Sequence, residues 1–299
     1  MKRLDMLGVQ AFISIAEAGS FNAAASFLHI SQTALTRRLQ KLESSLGLQL
    51  VERTTRSMSI TRVGMEFLPK ASRIVRELGI ALDDLKVNLG EQREQIAIGC
   101  LPTIAAGRLV EVIRRFGEQY PEVRVQLLDR SATEIREAVL QGELAFAIST
   151  LESTHRELLS ERLFAEPMVA ACPAGHRLAS QPSVRWKELE GEPLIGIGAL
   201  SGNRMLTMQV MEARHLELEF SYEVQHLSTA VGLVCGGAGI AVLPMSAVNG
   251  APPSLVAVPL VQPKTSRVIE LFRRRDAALS PAVAALRELV VRMIRTAGS

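Results

Sequence analysis

Apolar residues recur at three- and four-residue intervals through the first ninety positions, then shift to short alternating or continuous runs separated by helical stretches. Leu4, Leu7, Ala11 and Ile15 mark a first helix that Gly19 stops. Ser20 caps a second, short helix, Phe21–Leu28, whose Ala23, Ala24 and Ala25 allow another helix to approach closely. After the turn His29-Ile30, Ser31 caps a third helix that runs to Leu46 and ends at Gly47. Leu35, Leu39, Leu42 and Leu46 give this helix one apolar stripe, and the opposite face presents Gln32, Thr33, Thr36, Arg37 and Gln40, with no carboxylate until Glu43. A merely solvated face usually mixes in acids. A face of amides, hydroxyls and a guanidinium suits the base edges of a DNA major groove.

Leu48–Arg53 and Met58–Thr61 read as two short strands joined by Thr54-Thr55-Arg56-Ser57. Arg53, Thr54 and Arg56 at the tip of such a wing suit phosphate and minor-groove contacts, with an affinity that falls as salt rises. A long helix follows from Thr61 to Leu89, with Leu68, Ala71, Val75, Leu78, Leu82, Leu85 and Leu89 alternating by three and four. That seam is a coiled-coil pattern, which favours a partner helix over packing on the rest of the same chain. Pro69 predicts a bend near Met65–Pro69. Pairing there would set two reading helices on an interrupted inverted repeat.

From Ile96 strands and helices alternate, the signature of parallel α/β units. Ile96–Cys100, Val123–Leu127 and Leu144–Ile148 read as strands around helices Arg108–Tyr120 and Ala132–Leu140. Phe164–Cys172, Pro193–Ile197, Leu216–Val224, Gly239–Leu243 and Leu255–Val258 suggest a second sheet, Val268–Phe272 a last strand, and Ser280-Pro281 the start of a terminal helix. Crossings near Leu163–Glu166 and Ser266–Ile269 are the expected hinges. In such sheets small ligands bind beyond the carboxyl ends of strands. Thr103, Ser131 and Ser149 follow strands on one side of the predicted cleft, and Gly198, Ser201, Gly202 and Asn203 with Leu227 and Ser228 lie on the other. Free amides at the helix start near Ser201 favour a carboxylate or another anion. Each hydroxyl alone is equally an N-cap; together they read as a pocket.

Composition sharpens this picture. A net charge of +3 over 299 residues looks too small for a nucleic-acid binder. Residues 1–90, however, carry 12 basic and eight acidic side chains, 12 − 8 = +4, and the remainder 22 and 23, 22 − 23 = −1. The surplus belongs to the part with the groove-reading helix. Aromatics at 4% argue against a stacking platform for single strands. Cys100, Cys172 and Cys235 form no CxxC pair, and their apolar neighbours favour small buried hydrophobes over a redox pair; the five histidines have no metal-binding spacing, so no metal or other cofactor is expected. Leu227–Pro263 carries no charge, but its glycines and Pro244 favour a buried helix and strand over a membrane span. With no signal-like N-terminus, the expected location is the cytoplasm.

Ser31-Gln32-Thr33-Ala34-Leu35-Thr36-Arg37, then Leu42-Glu43, Gly47 and Arg53-Thr54, with Gly19-Ser20-Phe21 and the alanine run before them, resemble the LysR-type transcriptional regulators. The resemblance spans the chain and is most specific over residues 4–66. It implies an α/β protein with an N-terminal winged helix-turn-helix (1–62), a long linker helix (63–90) and a C-terminal two-lobed effector domain similar to periplasmic binding proteins (91–299). Lobe I would comprise 91–163 with 268–299, and lobe II 164–267. It further implies a homotetramer binding double-stranded DNA, a small effector in the cleft, contact with RNA polymerase, and no enzymatic activity. Two departures concern the reading helix: Thr33 stands where the family usually has proline, and Thr36 where serine is frequent. A third is Ala145, where many relatives have aspartate. Two rivals are weaker. An exported solute-binding protein lacks a use for the first ninety residues. A dinucleotide enzyme would rest on Gly196, Gly198 and Gly202, but Ser201 occupies the position where the fingerprint needs its third glycine.

Overall fold

The computed structural model describes residues 5–53, 58–88, 94–151, 155–198 and 201–296. They fall into two compact units, Met1–Glu94 and Gln95–Ser299.

The N-terminal unit begins with α1 (Met6–Ala18), α2 (Phe21–Phe27) and α3 (Gln32–Leu46). Local chemistry sets every boundary. Ser20 and Ser31 accept from the amides of Ala23 and Ala34, each at 3.2 Å, and Gly19 and Gly47 close their helices at φ of 64° and 70°. Leu35, Leu39 and Leu42 are buried against Phe12, Ile15 and Ala24. Each expected stripe has one exposed member, and Leu4 of the first lies outside the described residues. Leu46 and Leu7 are exposed, the first because its helix ends in the next turn, and Phe12 supplies the bulk on α1 that Leu7 was expected to share. Gly8 is where α1 crosses α3, since a Cβ there would lie 2.8 Å from that of Leu42.

Strands β1 (Val51–Arg53) and β2 (Met58–Ile60) pair antiparallel, with Glu52 opposite Ser59. The helix α4 (Arg62–Asn88) then runs through Pro69. Its seam divides in two. Leu68, Ala71 and Val75 pack on the core of their own unit, where Phe67 stacks on Phe12 with ring centroids 5.7 Å apart. Farther along, Leu78 and Leu82 stand exposed, as does Ile74 beside the seam. The whole seam was expected to await a partner; its first half is already covered. The side chains of Leu85 and Leu89 lie outside the described residues.

The second unit contains β3 (Gln95–Cys100), α5 (Pro102–Ala105), α6 (Arg108–Gln119), β4 (Arg124–Asp129), α7 (Ala132–Leu140) and β5 (Phe146–Ser149). There follow β6 (Leu158–Pro173), β7 (Val184–Arg185), β8 (Leu194–Ile197), α8 (Gly202–Arg214), β9 (Phe220–Val224), α9 (Leu227–Cys235), β10 (Ile240–Pro244), α10 (Met245–Val248), β11 (Leu255–Val261), β12 (Ser266–Arg274) and α11 (Pro281–Thr296). The strand order is β4-β3-β5-β12-β6-β10-β8-β9, with β11 on β6 and β7 on β11. The uncharged stretch 227–263 folds as helix and strand, and no helix among the described residues is long and apolar enough to cross a membrane.

One apolar core lies under β3, β5, α6, α7 and α11 and reaches Phe164 and Ile269. Two others begin at Val169 and Ala170 and fill the space around β8, β10 and α9. The first core is called lobe I below and the other two lobe II. In lobe II, Trp186 is almost wholly buried, and its ring Nε1 donates to the carbonyl of Pro263 at 3.0 Å. The 16-residue β6 belongs to both lobes, pairing with β12 over its first part and with β10 and β11 over its second. The lobes are therefore joined by two antiparallel strands crossing side by side.

Candidate functional site

On α3, Gln32, Thr33, Arg37 and Gln40 are exposed, Thr36 is half-buried, and the leucine stripe faces inward. Ser31 is occupied as the cap. Glu43, the first acid on the helix, is turned away from that face: its Oε1 accepts from the amides of Leu50 (2.8 Å) and Val51 (3.2 Å) and fixes the wing to the helix. Thr61 adds a second tie, donating to the carbonyl of Gln49 at 2.8 Å while capping Gly64. The polar face thus carries donors and acceptors without a competing carboxylate. Of the predicted wing residues, Arg53 ends β1, whereas Thr54, Arg56 and the side chain of Arg53 lie outside the described residues.

In the second unit the predicted cleft residues separate into distinct roles. Ser131 is a helix cap: its hydroxyl and amide meet Glu134, which completes a capping box on α7. Ser149 is fully buried, and its Oγ has no hydrogen-bond partner. Ser201 precedes α8 without capping it, and α9 likewise begins, at Leu227 and Ser228, with no side-chain cap from His226, although the Thr229 amide is taken by the His226 carbonyl at 3.1 Å. Gly198 is buried against the amide of Gln225. Gly196 gives room to Arg204, whose guanidinium lies 3.4 Å over the Phe220 ring with Nη1 unpartnered beside a void of about 10 Å³. The first two glycines of the spacing that imitated a dinucleotide loop are thereby explained as packing.

Thr103 and Asn203, from opposite lobes, are brought together by a residue the sequence reading passed over. Arg267 of β12 stands directly across from Glu166 of β6, and both are buried. Its Nε donates to Glu166 Oε2 at 2.7 Å, and Nη2 lies 2.6 Å from the same oxygen. Nη2 also reaches the hydroxyls of Thr103 (2.9 Å) and Ser246 (3.3 Å), and Nη1 reaches Asn203 Oδ1 (3.3 Å). Glu166 Oε1 accepts from the Ser246 amide at 2.8 Å. Burial pulls the Arg267 guanidinium below its ordinary pKa and the Glu166 carboxylate opposes that. The signal was present but weak: Glu166 and Arg267 are opposite charges, one in each predicted hinge.

The three cysteines belong to separate apolar clusters, and burial pushes the thiols of Cys100 and Cys172 up to about 12 and about 11. Thiolate, the reactive form, is scarce there at neutral pH. In the native protein a thiol titration should therefore find one reactive cysteine, Cys235, which is only partly covered. Three reacting thiols without denaturant would contradict this packing.

Residues 8–65 match the family model described as bacterial regulatory helix-turn-helix protein, lysR family, and residues 89–295 match the LysR substrate binding domain. The chain is 38% identical over 279 residues to the uncharacterized HTH-type transcriptional regulator YbhD of Escherichia coli K12, covering 93% of this chain and 88% of that protein. It is 28% identical over 297 residues to the hydrogen peroxide-inducible genes activator of Escherichia coli O6:H1, covering 96% and 95%. Among solved structures, full-length CbnR in complex with its target DNA superposes with a TM-score of 0.70 at 23% identity, covering 97% of this chain and 100% of that one.

Proposed function

The chain belongs to the LysR family of DNA-binding transcriptional regulators, with an effector-binding domain behind its DNA-binding one, and from that premise we propose which residues perform each task. Gln32, Thr33, Thr36, Arg37 and Gln40 read the major groove, with Ser31 at the helix mouth, and Arg53, Thr54 and Arg56 hold the flanking backbone. The observation that carries this reading is the face of α3: it is exposed, polar and free of carboxylate because Glu43 turns toward the wing. Two copies pair through the exposed half of the α4 seam, and pairs assemble into a homotetramer on an interrupted inverted repeat. The protein works in the cytoplasm, contacts RNA polymerase and catalyses no reaction.

The effector is a small anion taken between the lobes. Thr103, Ser149, Gly198, Ser201, Gly202, Asn203, Leu227 and Ser228 border its site, with Ser131 as the cap at the rim. The starts of α8 and α9, neither capped by a side chain, support an anion, since a helix N-terminus and its dipole favour negative charge. Effector binding changes the lobe angle and thereby the spacing of the paired reading helices. A peroxide-sensing role has less support, because two of the three thiols are buried and hard to ionise.

The test uses a duplex selected from a random pool by the wild-type protein. Arg37→Ala should weaken binding to that duplex by about 10- to 100-fold, the worth of a bidentate base contact, and relax preference at one base pair. Affinity and base preference both unchanged in a gel-shift titration would remove Arg37 from the reading set.

A further inference from the structure

The guanidinium of Arg267 makes two kinds of bond. Nε donates to the carboxylate directly across the ladder, and Nη2 lies 2.6 Å from the same oxygen. The outer hydrogen bonds go to neutral oxygens: Nη2 donates to the Thr103 hydroxyl on α5 in lobe I and the Ser246 hydroxyl on α10 in lobe II, and Nη1 to Asn203 on α8 in lobe II. These groups converge where the two strands pass between lobes, next to the last β12–β6 rung at Ser266 and Pro167. Lobe I and lobe II thus touch one buried cation from opposite sides. The bonds to Thr103, Asn203 and Ser246 are charge-assisted from the donor side alone. An entering carboxylate would add an anionic acceptor and the planar fork that a guanidinium edge engages with two parallel bonds, which a hydroxyl or an amide lacks.

We propose that Arg267, held by Glu166, is a positioning residue that latches the two lobes, and that the effector opens the latch by taking the guanidinium edge now shared by Thr103, Asn203 and Ser246. The second half rests on the anionic effector proposed above; the first does not. Glu166 keeps its place throughout, because its other oxygen is fixed by the Ser246 amide. Removing Arg267 alone would leave that carboxylate buried and unpaired, so the variant would report misfolding rather than the latch. Glu166→Leu combined with Arg267→Met removes both charges while filling similar volume, an exchange that buried ion pairs often tolerate.

Hydrogen exchange on the full-length protein decides the first half. Thr103→Val, which keeps the ion pair, should speed amide exchange about tenfold in α5 and α10, with the inner strands β3 and β10 unchanged. The double variant should do the same. Unchanged exchange in α5 and α10, or equal acceleration throughout the domain, would overturn the latch, since the latter is plain destabilisation. The second half is read by thermal shift with a panel of small mono- and dicarboxylates, their amides serving as controls. A carboxylate that stabilises the wild type but not the double variant supports effector opening. One that stabilises both equally overturns it. If no carboxylate acts on the wild type, the anionic-effector reading falls with the second half, while the exchange result still stands for or against the latch.

Discussion

Leu78→Asp combined with Leu82→Asp is expected to leave a folded protein that no longer pairs through α4, sediments as a smaller species than wild type, and binds its selected duplex at least about 100-fold more weakly. Both leucines are about half exposed in the single chain, at 46% and 51%, so charge there costs the isolated fold little. In a helix pair the same positions are a buried seam, where four added carboxylates per dimer would be desolvated beside one another. Losing the pair converts a two-point attachment into a single one, and the second contact forfeits an effective concentration commonly worth about 10²–10⁴ in affinity. Sedimentation velocity measures the first effect and a gel-shift titration the second. A variant that sediments like wild type would move the dimer interface away from this half of α4.

Gly64→Ala should have the other large effect, for the opposite reason: it adds one carbon where there is no room. Its Cβ would overlap the carbonyl oxygen of Leu50 and come within 2.7 Å of the Ile60 methyl, so α4 and the wing strands must separate. The obstacle is backbone rather than the end of a flexible side chain. The cost is about 3 kcal/mol, the upper part of the usual range for overpacking, partly offset by alanine's better helix propensity. The wing moves with it, so DNA affinity should fall beyond what the loss of folded protein explains. Chemical denaturation of the N-terminal unit checks the first effect; a midpoint equal to wild type would show that the close approach is not rigid.

What could be read from the sequence was what short-range chemistry decides. Ser20, Ser31, Gly19 and Gly47 cap their helices through neighbours at most five residues away, and the alternation that marks β3, α6, β4 and α7 is equally local. Ser131 followed by Glu134 has capping-box spacing, so its structural role was legible too, although a pocket role was assigned to it. The features that escaped depend on distant partners. Glu43 is an acid on a DNA-facing helix until the wing, seven residues later, supplies the amides it binds. Glu166 and Arg267 are 101 residues apart, and no spacing rule connects them. The heptad pattern of α4 is continuous in sequence, yet nothing local says where its covering changes from its own unit to another helix.

Trp186 is the chain's single tryptophan, and it sits inside lobe II with its ring nitrogen already bonded to Pro263. Excitation at the red edge of protein absorbance therefore makes 299 residues emit light from one place. That emission follows the packing and hydration of lobe II and is blind to the DNA-binding unit, which has no indole. Melting followed by emission and melting followed by circular dichroism would separate the two units in the unlabelled, unmutated protein.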